Sequence, residues 1–244
     1  MKLPLRIDLA GGWLDVPRFA VPGAYVVNCA IEPLVELRPH PDNNPPHCFQ
    51  PQLFWECGKQ VPLGSGLGSS AAWRLMYSTA PEEAMARELA SGAGWQDPAV
   101  IRHTGLCVWA SGPEPLLVSA DSGDWLSGLM ALKWTGKSHC TAELASLPRD
   151  YTAIANASIA ACKAVMRQDL SLLRSAVFES YQQQRSEGMD ELPFVPGAVA
   201  KYCGAGHGGY AVYIFASPET RDRAVRDQGM LAIEPYYRME ACGL

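Results

Sequence analysis

Apolar and polar side chains alternate from the start of the chain. Leu3 to Leu9 alternates around Arg6 with the period of a strand, until Ala10-Gly11-Gly12 breaks the run. Tyr25-Val26-Val27-Asn28-Cys29-Ala30-Ile31 and Leu34-Val35-Glu36-Leu37 read as two paired strands separated by Glu32-Pro33. Residues 39–52 hold five prolines and two asparagines and read as an irregular surface loop. The period then lengthens. Ser69 to Met76, behind a glycine-rich turn at 64–68, reads as a helix, and Pro81 to Leu89 as another with a proline start and an acidic first turn. Tyr151 to Gln168 and Leu170 to Gln184 divide at Asp169. Their apolar positions, Ile154, Ala157, Ala161 and Val165, then Leu173, Val177 and Tyr181, fall on one face each, as in ordinary core helices. Ala211 to Ala216 is a late strand. The order, β-rich, then α-rich, then a strand, predicts an α+β fold.

Composition narrows the classes. The 244 residues suffice for one large domain or two small ones packed together. With 48% hydrophobic and 18% charged residues, the chain reads as a soluble protein with a substantial core. A net charge of −5 and no run of Lys and Arg longer than two argue against a nucleic-acid partner. No apolar stretch reaches the ~20 residues of a membrane span, and Met1 to Arg6 does not resemble a secretory signal. The eight cysteines are scattered with no CxxC pair, which predicts free thiols and a cytoplasmic location.

Three segments carry candidate chemistry. In Pro62-Leu63-Gly64-Ser65-Gly66-Leu67-Gly68-Ser69-Ser70-Ala71-Ala72, three glycines let the backbone curl tightly and turn its N–H groups toward an anion. The helix that follows adds its own free N–H groups, and Ser69 and Ser70 add hydroxyls. No lysine precedes the serines, so this is not a GxxxxGK[ST] loop; a purely structural turn is the plain alternative. In Pro4 to Pro17, Arg6 and Asp8 share one side of a strand, and Asp15 follows a Gly-Gly turn that can return it to the strand end. Such a cation and carboxylate can orient a polar substrate, or simply form a surface salt bridge. In Lys201 to Val212, four glycines surround His207 and mark a close backbone approach. His207, His47-Cys48 and His139-Cys140 lack partners at ligand spacing, so no zinc site is expected.

Together the three segments resemble the motifs of the GHMP kinases, the superfamily of galactokinase, homoserine kinase, mevalonate kinase and phosphomevalonate kinase. They occur in the same order and reach from Arg6 to Gly209. Arg6-Ile7-Asp8-Leu9-Ala10-Gly11-Gly12-Trp13-Leu14-Asp15-Val16-Pro17 looks like the version in fucokinases and heptose-phosphate kinases, and Gly94-Trp95-Gln96-Asp97 looks like their catalytic-aspartate segment. Without the resemblance, Asp97 before Pro98 would pass as a turn residue.

The resemblance implies an N-terminal ribosomal-protein-S5-like subdomain (1–135) and a C-terminal ferredoxin-like α/β subdomain (136–244), with the active site between them. It implies transfer of the γ-phosphate of ATP to a sugar hydroxyl, the anomeric one in a fucose- or heptose-phosphate-type substrate. Asp97 would be the general base and Arg6 would stabilise charge beside it. Asp15, Gly12, Trp13 and Gly206 would meet the sugar. Pro62, Gly64, Ser65, Gly66, Leu67, Gly68, Ser69, Ser70 and Ala71 would hold ATP, and Ser70 and Glu88 would hold Mg²⁺. A phosphorylated sugar would call for further basic residues, with Lys59 and Arg102 as candidates. The expected assembly is a monomer or homodimer. The alternative of a different class is a catalytically inactive GHMP-fold protein that binds sugar or regulates.

Overall fold

The computed structural model describes residues 1–38, 52–78, 80–139 and 144–238. Its centre, among the described residues, is an antiparallel sheet of nine strands. Strand β1 (Lys2–Ala10) lies antiparallel to the long β2 (Tyr25–Arg38), which also pairs with β3 (Gln52–Trp55) and β4 (Leu106–Ala110). Strand β5 (Leu116–Asp121) extends the sheet at one edge beyond β4. Strand β9 (Leu231–Pro235) joins β2 to β6 (Met130–Trp134), and β8 (Tyr210–Phe215) and β7 (Ala198–Tyr202) complete the other side.

Two strands anticipated around Glu32-Pro33 are in fact one. The β1–β2 register jumps between Leu3 opposite Val35 and Leu5 opposite Ile31, so Pro4 and Pro33 both sit in the irregularity. A proline has no N–H to give a ladder, and a bulge is where a continuous strand tolerates it. The β3 strand begins at Gln52, the last residue of the anticipated loop; the rest of that loop lies outside the described residues, as do Cys48, Cys140 and Cys242. The alternation along the sequence does not predict strands β3, β4, β5, β6, β7 and β9.

Around the sheet pack the helices α1 (Ser69–Tyr77), α2 (Pro81–Ala90), α3 (Gln96–His103), α4 (Tyr151–Arg167), α5 (Leu170–Ser186) and α6 (Pro218–Gln228). Asp150 and Asp169 cap α4 and α5 by accepting hydrogen bonds from the backbone of Ala153 and Leu172, so Asp169 is what divides the two helices. Their buried faces carry Ile154, Ala157, Ala161 and Val165, and Leu173 and Val177, with Tyr181 partly buried. No helix among the described residues is long and apolar enough to cross a membrane.

The β1 alternation positions the site. Leu3, Leu5, Ile7 and Leu9 enter the main core. Arg6 and Asp8 therefore point to the opposite face, yet they are 4% and 1% exposed, so they do not form a surface salt bridge. That face is covered by the two glycine turns, which interlock. Tyr210 donates from its backbone to the Ser65 carbonyl at 2.8 Å, and a Cβ on Gly204 would lie 2.9 Å from the Gly66 Cα. Gly204 also has φ +62°, unfavourable for any side chain. Gly204→Ala should therefore cost about 2–4 kcal/mol, read as a lower chemical-denaturation midpoint; an unchanged midpoint would show that the turns do not bear on each other.

Candidate active site

Among the described residues strand β1 pairs only with β2, and the glycine loop uses its other edge: the Arg6 backbone donates to the Leu67 carbonyl at 3.0 Å. The Arg6 side chain then reaches under the loop. Nε donates to Asp97 Oδ1 at 2.6 Å, while Nη1 donates to the Gly66 carbonyl at 2.6 Å and reaches Asp8 Oδ1 at 3.4 Å. Burial alone would lower the Arg6 pKa, but the charges of Asp97 and Asp8 more than offset it and the net direction is upward. Asp97 is no turn residue; it occupies the first turn of α3, with Pro98 next to it where a missing N–H costs nothing.

The loop presses on this pair. Gly68 forms the N-cap of α1 at φ +73°, and a Cβ there would come within 3.3 Å of both the Arg6 Cγ and the Asp97 carboxylate. No side chain caps α1, so its first-turn N–H groups remain for an anion. Ser65 and Ser69 hydroxyls lie 3.3 Å apart inside the loop, and the Ser70 hydroxyl donates to Glu88 Oε1 at 3.0 Å. Arg74, one turn beyond Ser70, sets its Nη1 2.7 Å from the same Glu88 oxygen. Burial raises the Glu88 pKa, with the Asp97 charge adding to it; Arg74 and Ser70 pull the other way.

Asp15 follows the Gly11-Gly12 turn and fastens it to α3. Its two carboxylate oxygens accept from the Gln96 side chain at 3.0 Å and the Gln96 backbone at 3.3 Å. Gly94 is needed here, because a side chain on it would overlap the Asp15 carboxylate. Among the described residues no cation pairs with Asp15. Burial, with the Asp97 charge adding to it, pushes its pKa up to about 7. Trp13 beside it adopts φ +77°, costly for a bulky side chain, and is held by the Arg149 guanidinium 3.9 Å from its ring centroid. Arg149 is itself fully buried and 3.1 Å from Glu187.

The C-terminal turn contributes what the sequence did not reveal. Lys201, 1% exposed, donates through Nζ to the Asp8 carbonyl at 2.9 Å and to its carboxylate, whose other oxygen accepts from the Gly204 backbone at 2.7 Å. Gly204 and Ala205 line the site; Gly206 does not, and packs against the Met189 thioether instead. His207 stays outside, while His139 lines the site beside Gly66 with its buried Nδ1 unpartnered and its pKa lowered by burial.

These elements enclose a cavity of about 360 Å³. Arg6, Gly12, Trp13, Asp15, Gly64, Ser65, Gly66, Gly68, Ser69, Ser70, Glu88 and Asp97 all line it. Pro62, Leu67 and Ala71 do not: Leu67 and Ala71 are in the core, where they anchor the loop and the helix. Arg102 is exposed against Glu82 and Lys59 is exposed beside β3, so neither basic candidate reaches the cavity. Among the described residues no group of three or more His, Cys, Asp or Glu is placed to hold a metal ion. The Ser70 hydroxyl and Glu88 carboxylate are nonetheless a hard-oxygen pair of the kind that suits Mg²⁺, which takes one or two carboxylates together with phosphates and waters.

No protein-family profile and no curated protein sequence matches the chain. Solved structures do. The Methanococcus jannaschii mevalonate kinase superposes with a TM-score of 0.63 at 14% identity, over 98% of this chain and 98% of that one. The Streptococcus pneumoniae phosphomevalonate kinase, in complex with phosphomevalonate and AMPPNP, gives 0.60 at 14%, over 97% and 99%. A D-glycero-D-manno-heptose 1-phosphate kinase from Bacteroides thetaiotaomicron gives 0.60 at 16%, over 98% and 99%. The structural neighbours are GHMP-family kinases, and the fold of this chain is the GHMP kinase fold.

The Asp15 environment has a measurable consequence. A carboxyl whose pKa rises from 3.8 to about 7 on folding contributes most stability below pH 4 and loses it as pH climbs through 7. Relative to Asp15→Asn, wild type should therefore lose roughly 2–4 kcal/mol between pH 4 and pH 8, read from urea midpoints of both proteins. A gap independent of pH would mean that Asp15 ionises at its ordinary value.

Proposed function

We propose that this protein is an ATP-dependent sugar kinase that phosphorylates the anomeric hydroxyl of its substrate. The observation that carries the reading is the Arg6–Asp97 contact directly beneath Gly68, where a carboxylate meets the glycine loop and the first turn of α1. A phosphate-gripping loop and a proton acceptor within a few ångströms are what in-line phosphoryl transfer requires. The AMPPNP complex among the structural neighbours supports a nucleotide as donor, and the heptose 1-phosphate kinase and a putative sugar kinase among them support a sugar as acceptor.

In this reaction the loop from Gly64 to Gly68 and the α1 amides hold the ATP phosphates. Asp15 and Trp13 orient the acceptor, with Gly12 and Gly204 leaving room for it. Asp97 takes the acceptor's proton on Oδ2 as the acceptor oxygen bonds to the γ-phosphorus and the bond to ADP breaks; Arg6 holds Oδ1 and fixes the carboxylate plane. Ser70 and Glu88 would hold Mg²⁺, which neutralises phosphate charge when bound. A free sugar of the fucose type is favoured over a sugar phosphate, since neither Lys59 nor Arg102 faces the cavity. We place the nucleotide-holding half at 1–135 and the half closing on the acceptor at 136–244.

Screening free and phosphorylated sugars for ADP release with ATP and Mg²⁺ tests this. Asp97→Asn should lower kcat by about 10²–10⁴ while ATP still binds; full turnover by the variant would remove Asp97 as base. A wild type that binds a sugar but never releases ADP would make the protein a sugar-binding member of the fold. Ser70→Ala should raise the Mg²⁺ concentration needed for half-maximal rate by about tenfold with the melting temperature unchanged; an unaltered requirement would take Ser70 out of the metal shell.

A further inference from the structure

The glycine loop lacks the lysine with which many phosphate loops neutralise their ligand, and a triphosphate needs cations. All 20 Lys and Arg residues of the chain lie within the described segments, and only Arg6 and Arg74 line the cavity. Arg6 is committed: Nε to Asp97, Nη1 to Gly66 and Asp8. Arg74 is not. It stands four residues after Ser70 and therefore on the same face of α1. It keeps 23% of its side chain exposed, and its Nη1, though 2.7 Å from Glu88 Oε1, makes no well-formed hydrogen bond there. A guanidinium offers five N–H donors in a planar fork, and Glu88 Oε1 already receives the Ser70 hydroxyl.

We propose that Arg74 is a phosphate-binding residue of the nucleotide site, supplying from the second turn of α1 the cation that the loop itself lacks. The inference rests on the kinase reading for the identity of the ligand. Its rival is a clamp: Arg74 merely holding Glu88 in place for a metal. The two differ in what they need. A phosphate contact acts without metal, whereas a clamp for a metal ligand matters only when metal is present.

Calorimetric titration with ADP and with adenosine, each in EDTA and again in Mg²⁺, separates them. In EDTA, Arg74→Ala should weaken ADP by about 10- to 100-fold and leave adenosine unchanged. Arg74→Lys should recover part of the loss, because a point charge replaces the fork, and it carries the test should the alanine variant fail to fold. ADP affinity unchanged in EDTA for both variants, with a loss confined to Mg²⁺, would overturn the proposal in favour of the clamp. Should the wild type bind neither ADP nor ATP under any condition, the kinase reading itself falls and this inference with it; ADP binding by wild type that is indifferent to Arg74 sinks the inference alone.

Discussion

A guanidinium buried to 4% exposure has to be fully paired, and that requirement organises the site. Arg6 is satisfied by a carboxylate from α3, a carbonyl from the glycine loop and a second carboxylate from its own strand. Asp8, in turn, is neutralised by Lys201 from β7. Two cations and two anions thus balance across three segments, β1, α3 and β7, that are far apart in sequence. Of these four groups only Asp97, at 20%, has appreciable exposure. The network therefore leaves one carboxylate oxygen free to act and immobilises the rest. Moving any one segment would strand a buried charge, so Asp97 and the glycine loop are held in register by electrostatics as much as by packing.

The same network joins β1 to the turn between β7 and β8. Lys201 and the Gly204 amide both terminate on Asp8, and the Gly204–Gly66 approach places backbone on backbone. The glycines are thus required twice over, by positive φ and by the absence of space. The C-terminal turn acts as a wall fixed to β1, with Gly204 and Ala205 facing the cavity and Gly206 turned onto Met189. A sequence motif cannot distinguish these two roles, since each glycine looks alike until its missing Cβ is placed.

How much was legible follows from how local each signal is. The β1 alternation, the loop before α1 and the Asp169 break between α4 and α5 are written in neighbouring residues, and the structure has them at those positions. Strand β5 has no buried residue on either face and β4 is a short run buried almost throughout, so neither shows a clean period of two. Pro33 looked like a terminator because sequence alone cannot show the bulge opposite Pro4 that absorbs it. Site contacts made through tertiary structure were beyond reach: Lys201 is only the first residue of a glycine-rich segment, Arg74 one residue of a helical run, and His139 an isolated histidine.

Asp15 and Asp97 show how one cavity differentiates two carboxyls. Each is placed by α3, Asp97 on its first turn and Asp15 through the Gln96 amides, and Asp15 feels the charge of Asp97. Asp97 has a guanidinium at 2.6 Å, so its negative charge is compensated where it stands. Asp15 has only amide donors, which stabilise a carboxylate less than a cation does, and burial then holds its proton up to about pH 7. Near neutrality Asp15 is therefore divided between a form that donates and a form that only accepts. An alcohol can satisfy either form, since a hydroxyl both donates and accepts. An acceptor carrying a carboxylate or phosphate would meet the protonated form well and repel the ionised one.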